Sequence, residues 1–195
     1  MSALRNTDEL MYTYNMYCEM LDDDNRYEII DGVPHMMAAP TEQHQAVLGE
    51  IYLRLRLFLQ GKPCKVYLSP LDVRLAVYGE TPGNEINVVQ PDVMVFCDQN
   101  KVDDQGGIAA PDIAIEILSP SSAKNDRYRK FNLYAKAGVK EYWIVDGAHK
   151  TVEVFALAGE KFALSAFLQM GDVITSSVLE GLEIKVSDIF IDPWA

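Results

Sequence analysis

Apolar and polar positions follow two rhythms along this chain. In residues 7–21, TDELMYTYNMYCEML, apolar side chains at 10, 11, 14, 17, 20 and 21 recur three and four apart, which predicts a helix capped by Thr7. YEIIDGVPHMM (27–37) reads as a hairpin, because Asp31-Gly32 suits a type I′ turn in which both central residues need positive φ. TEQHQAVLGEIYLRLRLFLQG (41–61) returns to the helical period, with Thr41 as cap, Gly61 as stop and Val47, Leu48, Ile51, Leu55, Phe58 and Leu59 as the inward face. KVYLSPLDVRLAV (65–77) and NVVQPDVMVF (87–96) are extended, split by the turn region YGETPGN, and the polar loop CDQNKVDDQGG leads to a further strand, DIAIEIL (112–118). After SPSS, residues 122–137 form a helix ended by Gly138. KEYWIVD (140–146) and TVEVFAL (151–157) are strands joined by GAHK, and the tail SSVLEGLEIKVSDIF reads as short strands with a terminal turn. This order predicts an α/β fold: a central mixed β-sheet flanked by helices, with an N-terminal helix and a β-hairpin, in one domain over residues 1–195.

Two of these strands carry a carboxylate that their neighbours do not explain. By strand alternation Gln90, Asp92, Met94 and Phe96 share one face, with Val89, Pro91, Val93 and Val95 on the other. The later strand sets Asp112, Ala114, Glu116 and Leu118 opposite Ile113, Ile115 and Ile117. An acid among valines and isoleucines is costly to bury unless a cation or hydrogen-bond donors meet it. If the strands are neighbours and these faces coincide, Asp92 and Glu116 can converge, and with the main-chain carbonyl of Ile117 they would make a hard-oxygen site suited to Mg²⁺ or Mn²⁺. Each acid also has a structural reading: Asp92 as the start of a turn, Glu116 as the partner of Arg127 or Lys130 in a buried ion pair.

Charge and cysteine content narrow the picture. A net charge of −12 argues against broad, non-specific electrostatic binding of nucleic acid. The charge is uneven: residues 1–31 hold Asp8, Glu9, Glu19, Asp22, Asp23, Asp24, Glu28 and Asp31 against Arg5 and Arg26. Between 124 and 140 the sign reverses, with Lys124, Arg127, Arg129, Lys130, Lys136 and Lys140 against Asp126. Such a run is either a solvated helix face or a substrate-facing one. Cys18, Cys64 and Cys97 form no C-x-x-C pair, so they are expected to be buried thiols, and His35, His44 and His149 form no H-E-x-x-H pattern. No apolar run is long enough to span a bilayer and the first residues lack a leader pattern, so a cytoplasmic chain without a membrane partner is expected.

The ordered set YEIIDG, QPDVMVF, PDIAIEILSPSS and DRYRKFNLYAKAGVKEYWIVD resembles the Uma2 family (DUF820) of the PD-(D/E)XK restriction-endonuclease-like superfamily. The resemblance covers roughly residues 7–190 and is most specific from Pro111 to Asp146. It implies a restriction-endonuclease-like core and Mg²⁺-dependent hydrolysis of DNA, with Asp92 and Glu116 as the motif acids. The lysine that the superfamily places two residues after the second acid is replaced by Leu118. The resemblance supplies it instead from the next helix as Lys130, with Lys124 in reserve. Glu28 and His44 also match family positions, as an outer metal contact and as a contact to the acids or the substrate. Ser119, Ser121 and Ser122 are helix caps rather than nucleophiles, since no Ser-His-Asp pattern accompanies them. Three functions remain: an endonuclease acting as a homodimer, with two sites for two DNA strands; a non-catalytic module that keeps the fold for binding or assembly; and a metal-dependent hydrolase of RNA or small phosphates.

Overall fold

The computed structural model describes residues 11–20, 25–120, 122–191 and 194. Thr7, Leu10, Leu21 and Ser121 lie outside them, as do Asp8, Glu9, Asp22, Asp23 and Asp24 of the acidic run. Within them α1 spans Tyr14–Met20, and the hairpin pairs β1 (Tyr27–Ile30) with β2 (Val33–Met36). Its turn is as expected, with Asp31 at φ 52° and Gly32 at φ 76°. α2 runs over Glu42–Phe58 and starts where Thr41 accepts a hydrogen bond from the His44 amide. β3 (Lys65–Leu68), β4 (Val73–Arg74), β5 (Val88–Val89) and β6 (Val93–Phe96) follow. The loop 97–107 contains two short strands, β7 (Val102–Asp103) and β8 (Gly106–Gly107). After β9 (Ile113–Ile117) the chain winds through a π-helical turn, Asn125–Lys130, into α3 (Phe131–Ala137), ended by Gly138 at φ 86°. β10 (Glu141–Asp146), β11 (Thr151–Ala158), β12 (Lys161–Leu168), β13 (Val173–Ile174), β14 (Ile184–Lys185) and α4 (Val186–Ile189) complete the order.

The α/β class holds, but the strands divide between two six-stranded sheets and a two-stranded ribbon. The first sheet has the order β2-β1-β5-β4-β8-β7 and the second β12-β11-β10-β9-β6-β3, with β9 and β10 its parallel pair. NVVQPDVMVF is therefore two strands in two sheets. Pro91 cannot donate to a ladder, so pairing breaks at Gln90-Pro91-Asp92 and the chain crosses from the first sheet to the second. Val89 accordingly packs with Met94 and Phe96 rather than with Val93 and Val95. The rest of the alternation is as expected: Val93, Val95, Ile113, Ile115 and Ile117 face α2, while Met94, Phe96 and Ala114 face Leu133 and Tyr134 of α3 together with the first sheet.

α2 docks through Val47, Leu48, Ile51, Leu55 and Leu59, with Phe58 at the margin of the same core. Fully burying side chains of this kind contributes about 1.5–3 kcal/mol each. Three expectations change. Cys64 and Cys97 are joined in a disulfide between the start of β3 and the end of β6, and Cys18 is exposed, so none is a buried thiol. β12 has no counterpart in the sequence reading. Arg127 turns outward to Glu153 at 2.6 Å instead of sharing the inward face of Lys130. Among the described residues no helix is long and apolar enough to cross a membrane.

Candidate active site at the junction of the sheets

The crossing at Gln90-Pro91-Asp92 brings acids from both sheets to one place. β6 and β9 are antiparallel, with Val93 opposite Ile115 and Met94 opposite Ala114; one further step sets Asp92 against Glu116. Asp92 Oδ2 accepts the Ile117 amide at 2.8 Å and meets His44 Nε2, from the first turn of α2, at 3.1 Å. Glu28, on β1, accepts the Gln90 amide at 2.7 Å, which ties the hairpin to the crossing. Asp92, Glu116, Ile117, Glu28, His44 and Lys130 all line one cavity of about 140 Å³.

Lys130 closes its floor. Its Nζ lies 2.8 Å from Glu28 Oε1, 3.0 Å from Glu116 Oε1 and 3.7 Å from Asp126 Oδ1. Glu116 Oε1 also accepts the Tyr134 hydroxyl at 2.7 Å. Lys130, Glu116, Glu28 and Asp126 are each under 5% exposed. Asp126, Lys130 and Tyr134 stand four apart and all face inward, as the wider π turn allows. Asp126 was absent from the sequence reading of the site, although the spacing Asp126-x-x-x-Lys130 was there to be seen. Both of its oxygens are buried without a hydrogen bond of good geometry; Ser122 is merely near.

Charge runs short on the positive side. Burial and then the carboxylates of Asp126, Asp92 and Glu28 push Glu116 well above the usual glutamate range, against the pull of Lys130. Burial opposes charge on Lys130, but Glu116, Glu28 and Asp126 outweigh it and hold its pKa well above that of a free lysine. Burial likewise opposes charge on His44, and the hydrogen bond and charge of Asp92 overcome it to raise the imidazole. Burial raises Asp126 despite Lys130.

The donor chemistry of this cavity fits a hard divalent cation. Asp92 Oδ1 and Glu116 Oε2 carry no protein hydrogen bond among the described residues, and the surrounding charge is negative. Among the described residues no three His, Cys, Asp or Glu side chains form a ready metal cluster. An ion here would therefore take two carboxylates, a main-chain carbonyl and water, a common set for Mg²⁺. Ile117 is fixed beside Asp92 by its amide. Leu118 is half-buried in the core with its amide bonded to Val145, so no lysine stands two residues after Glu116. Lys124 is exposed and does not line the cavity. Ser119 and Ser122 bond each other and begin the helix.

The Uma2 family model, described as "Putative restriction endonuclease", matches residues 12–187. "Uncharacterized protein slr1290" of Synechocystis sp. (strain ATCC 27184 / PCC 6803 / Kazusa) is 26% identical over 131 residues, 67% of this chain; the match spans only 65% of that relative's length. A crystal structure from Anabaena variabilis ATCC 29413, described as "a putative nuclease belonging to DUF820", superposes with a TM-score of 0.73 at 19% identity, covering 92% of this chain and 97% of that one. At that identity the likeness speaks for the fold. With nine-tenths of its length matched by the family model and the fold shared, the chain belongs to the Uma2 family.

Proposed function

We propose that this chain is a divalent-metal-dependent endonuclease that hydrolyses phosphodiester bonds of DNA. One observation carries the reading: Glu28, Glu116 and Asp126 share a single buried lysine, and with Asp92 they line one solvent-connected cavity. Gathering like charges out of water is costly, and a structural role would be served better by apolar side chains of the same volume. The family description and the nuclease named for the structural neighbour favour the same chemistry.

Asp92, Glu116 and the Ile117 carbonyl are the groups that would hold Mg²⁺ or Mn²⁺. Such an ion supplies Lewis acidity at the phosphorus and a water of lowered pKa. Lys130 keeps its proton and presents a fixed positive charge to the phosphoryl oxygens as negative charge grows on them. Glu28 and Asp126 hold that ammonium in place. His44 positions Asp92 through Oδ2 and lines the cavity beside it. A homodimer would place two such sites on two strands.

Leu118 and the overall acidity favour a second reading, a nuclease-fold module that binds without cutting. Supercoiled plasmid incubated with Mg²⁺ or Mn²⁺ separates the two. The parent should nick it, Lys130→Ala should lose turnover by about 10²-fold or more while still binding metal, and Asp92→Ala should lose both. Equal traces of nicking in all three proteins would remove the nuclease and leave the module.

A further inference from the structure

Beside the acid-lined cavity lies a second and larger concavity of about 600 Å³. The hairpin β1–β2 forms one side of it, and the π-helical turn with α3 the other. Buried Ile30 and Leu133 make an apolar floor. Tyr78 and Tyr128 line it, and Arg129 and Lys136 are its cations against the single acid Asp31. In a chain of net charge −12 a concave surface with more cations than acids stands out.

Its two tyrosines differ. Tyr78 is braced, its hydroxyl donating to Asp31 at 2.8 Å and its ring lying under the Lys136 ammonium at 3.3 Å. Tyr128 is 69% exposed, and its ring stacks on no other ring or cation among the described residues. Arg129 is oriented by the His35 ring at 2.7 Å. Burial and the adjacent guanidinium hold His35 below the usual imidazole range, so it stays neutral and accepts that bond. His35 lines both spaces, and the adjacent residues Arg129 and Lys130 serve one each.

We propose that this groove binds an unpaired nucleotide strand: one base stacks on Tyr128, and the phosphates on either side meet Arg129 and Lys136, so that the strand leads past His35 to Lys130. The volume is that of a site for a small ligand, enough for bases but not for a duplex. An aromatic face can engage a base only when that base is out of the helical stack. Free aromatic rings beside a track of cations are what sequence-tolerant binding of single strands needs. The proposal rests on the nuclease reading for its direction toward Lys130 and narrows the substrate to single-stranded or locally unpaired nucleic acid.

Fluorescence anisotropy in EDTA reads binding without hydrolysis. Labelled oligothymidine, oligouridine and a blunt duplex are titrated with the parent, Tyr128→Ala and Tyr128→Phe, with polyglutamate as competitor. The parent should prefer single strands to duplex, and the sugar bound more tightly tells DNA from RNA. Tyr128→Ala should weaken that binding roughly 5- to 150-fold, the range carried by one stacked base, while Tyr128→Phe keeps it. Both variants should retain the parental melting curve, since the side chain is exposed. Parental affinity in Tyr128→Ala, equal binding of duplex, no binding of any strand, or displacement by polyglutamate as effective as by oligothymidine would each overturn the proposal. Cleavage of supercoiled plasmid and of single-stranded circular DNA with Mg²⁺ judges the other reading separately. Cleavage with strand binding unaffected in Tyr128→Ala removes the groove and leaves the nuclease; strand binding that needs Tyr128 with neither DNA cut does the reverse.

Discussion

Asp112 immediately precedes β9 and Glu116 lies within it, each almost wholly buried, and their surroundings answer that burial in opposite ways. Asp112 has more than enough partners: Lys140 at 2.7 Å, Lys101 at 3.8 Å and the Cys97 amide at 2.8 Å. Burial would raise its pKa, but the Lys140 and Cys97 hydrogen bonds and the two lysine charges bring it below the usual aspartate range. Glu116 shares one lysine with Glu28 and Asp126, and its pKa goes up. The lesson is that burial of an acid says little by itself. The local balance of charge separates an acid that fastens a strand from one left short of positive charge.

The largest test of this contrast is Lys130→Met. It leaves Glu116, Glu28 and Asp126 buried without a cation and should cost about 3–5 kcal/mol in urea unfolding. A loss under about 1 kcal/mol would mean that water already relieves those acids. Asp112→Asn should cost less, about 1–3 kcal/mol at neutral pH, and leave plasmid nicking at the parental level. Its pH dependence follows from the depressed pKa. The stabilisation is fully present above the unfolded aspartate value and is lost as pH falls through the lower folded value, so parent and variant should converge in acid. Glu116→Gln should move the other way. A raised folded pKa means that the folded chain keeps a proton which the unfolded chain has lost, so stability declines as pH rises from the ordinary glutamate value through the folded one. Without added metal the variant should therefore melt higher at neutral pH, by about 1 kcal/mol or roughly 2–4 °C, while nicking is abolished. A lower melting temperature would show that the Lys130 bond outweighs the burial of charge.

Periodicity carried much of this molecule. The hairpin turn, the Thr41 cap and the inward face of α2 were legible because each is a local pattern; that the strands of Asp92 and Glu116 are neighbours entered only as a condition, which the β6–β9 pairing meets. The division into two sheets was not, since Pro91 interrupts a run that otherwise reads as one strand. Asp126 was hidden within a basic run, and Arg127, offered beside Lys130 as a buried partner for Glu116, turns outward where residues 125–130 wind more widely. The Cys64–Cys97 pair is separated by 33 residues, and no motif announces it. In β12, Leu164 and Phe167 are exposed on an edge strand, so the usual alternation that would reveal it is missing.

The Gln90-Pro91-Asp92 crossing has a mechanical consequence. Gln90 is fastened to Glu28 in one layer and Asp92 to Ile117 in the other, so the cavity is a seam between layers rather than a hollow in either. Lys130 bridges the same seam, its Nζ bonded to Glu28 of one sheet and to Glu116 of the other. One ammonium thus fastens two layers whose backbones meet only through a single proline-bearing crossing at that point.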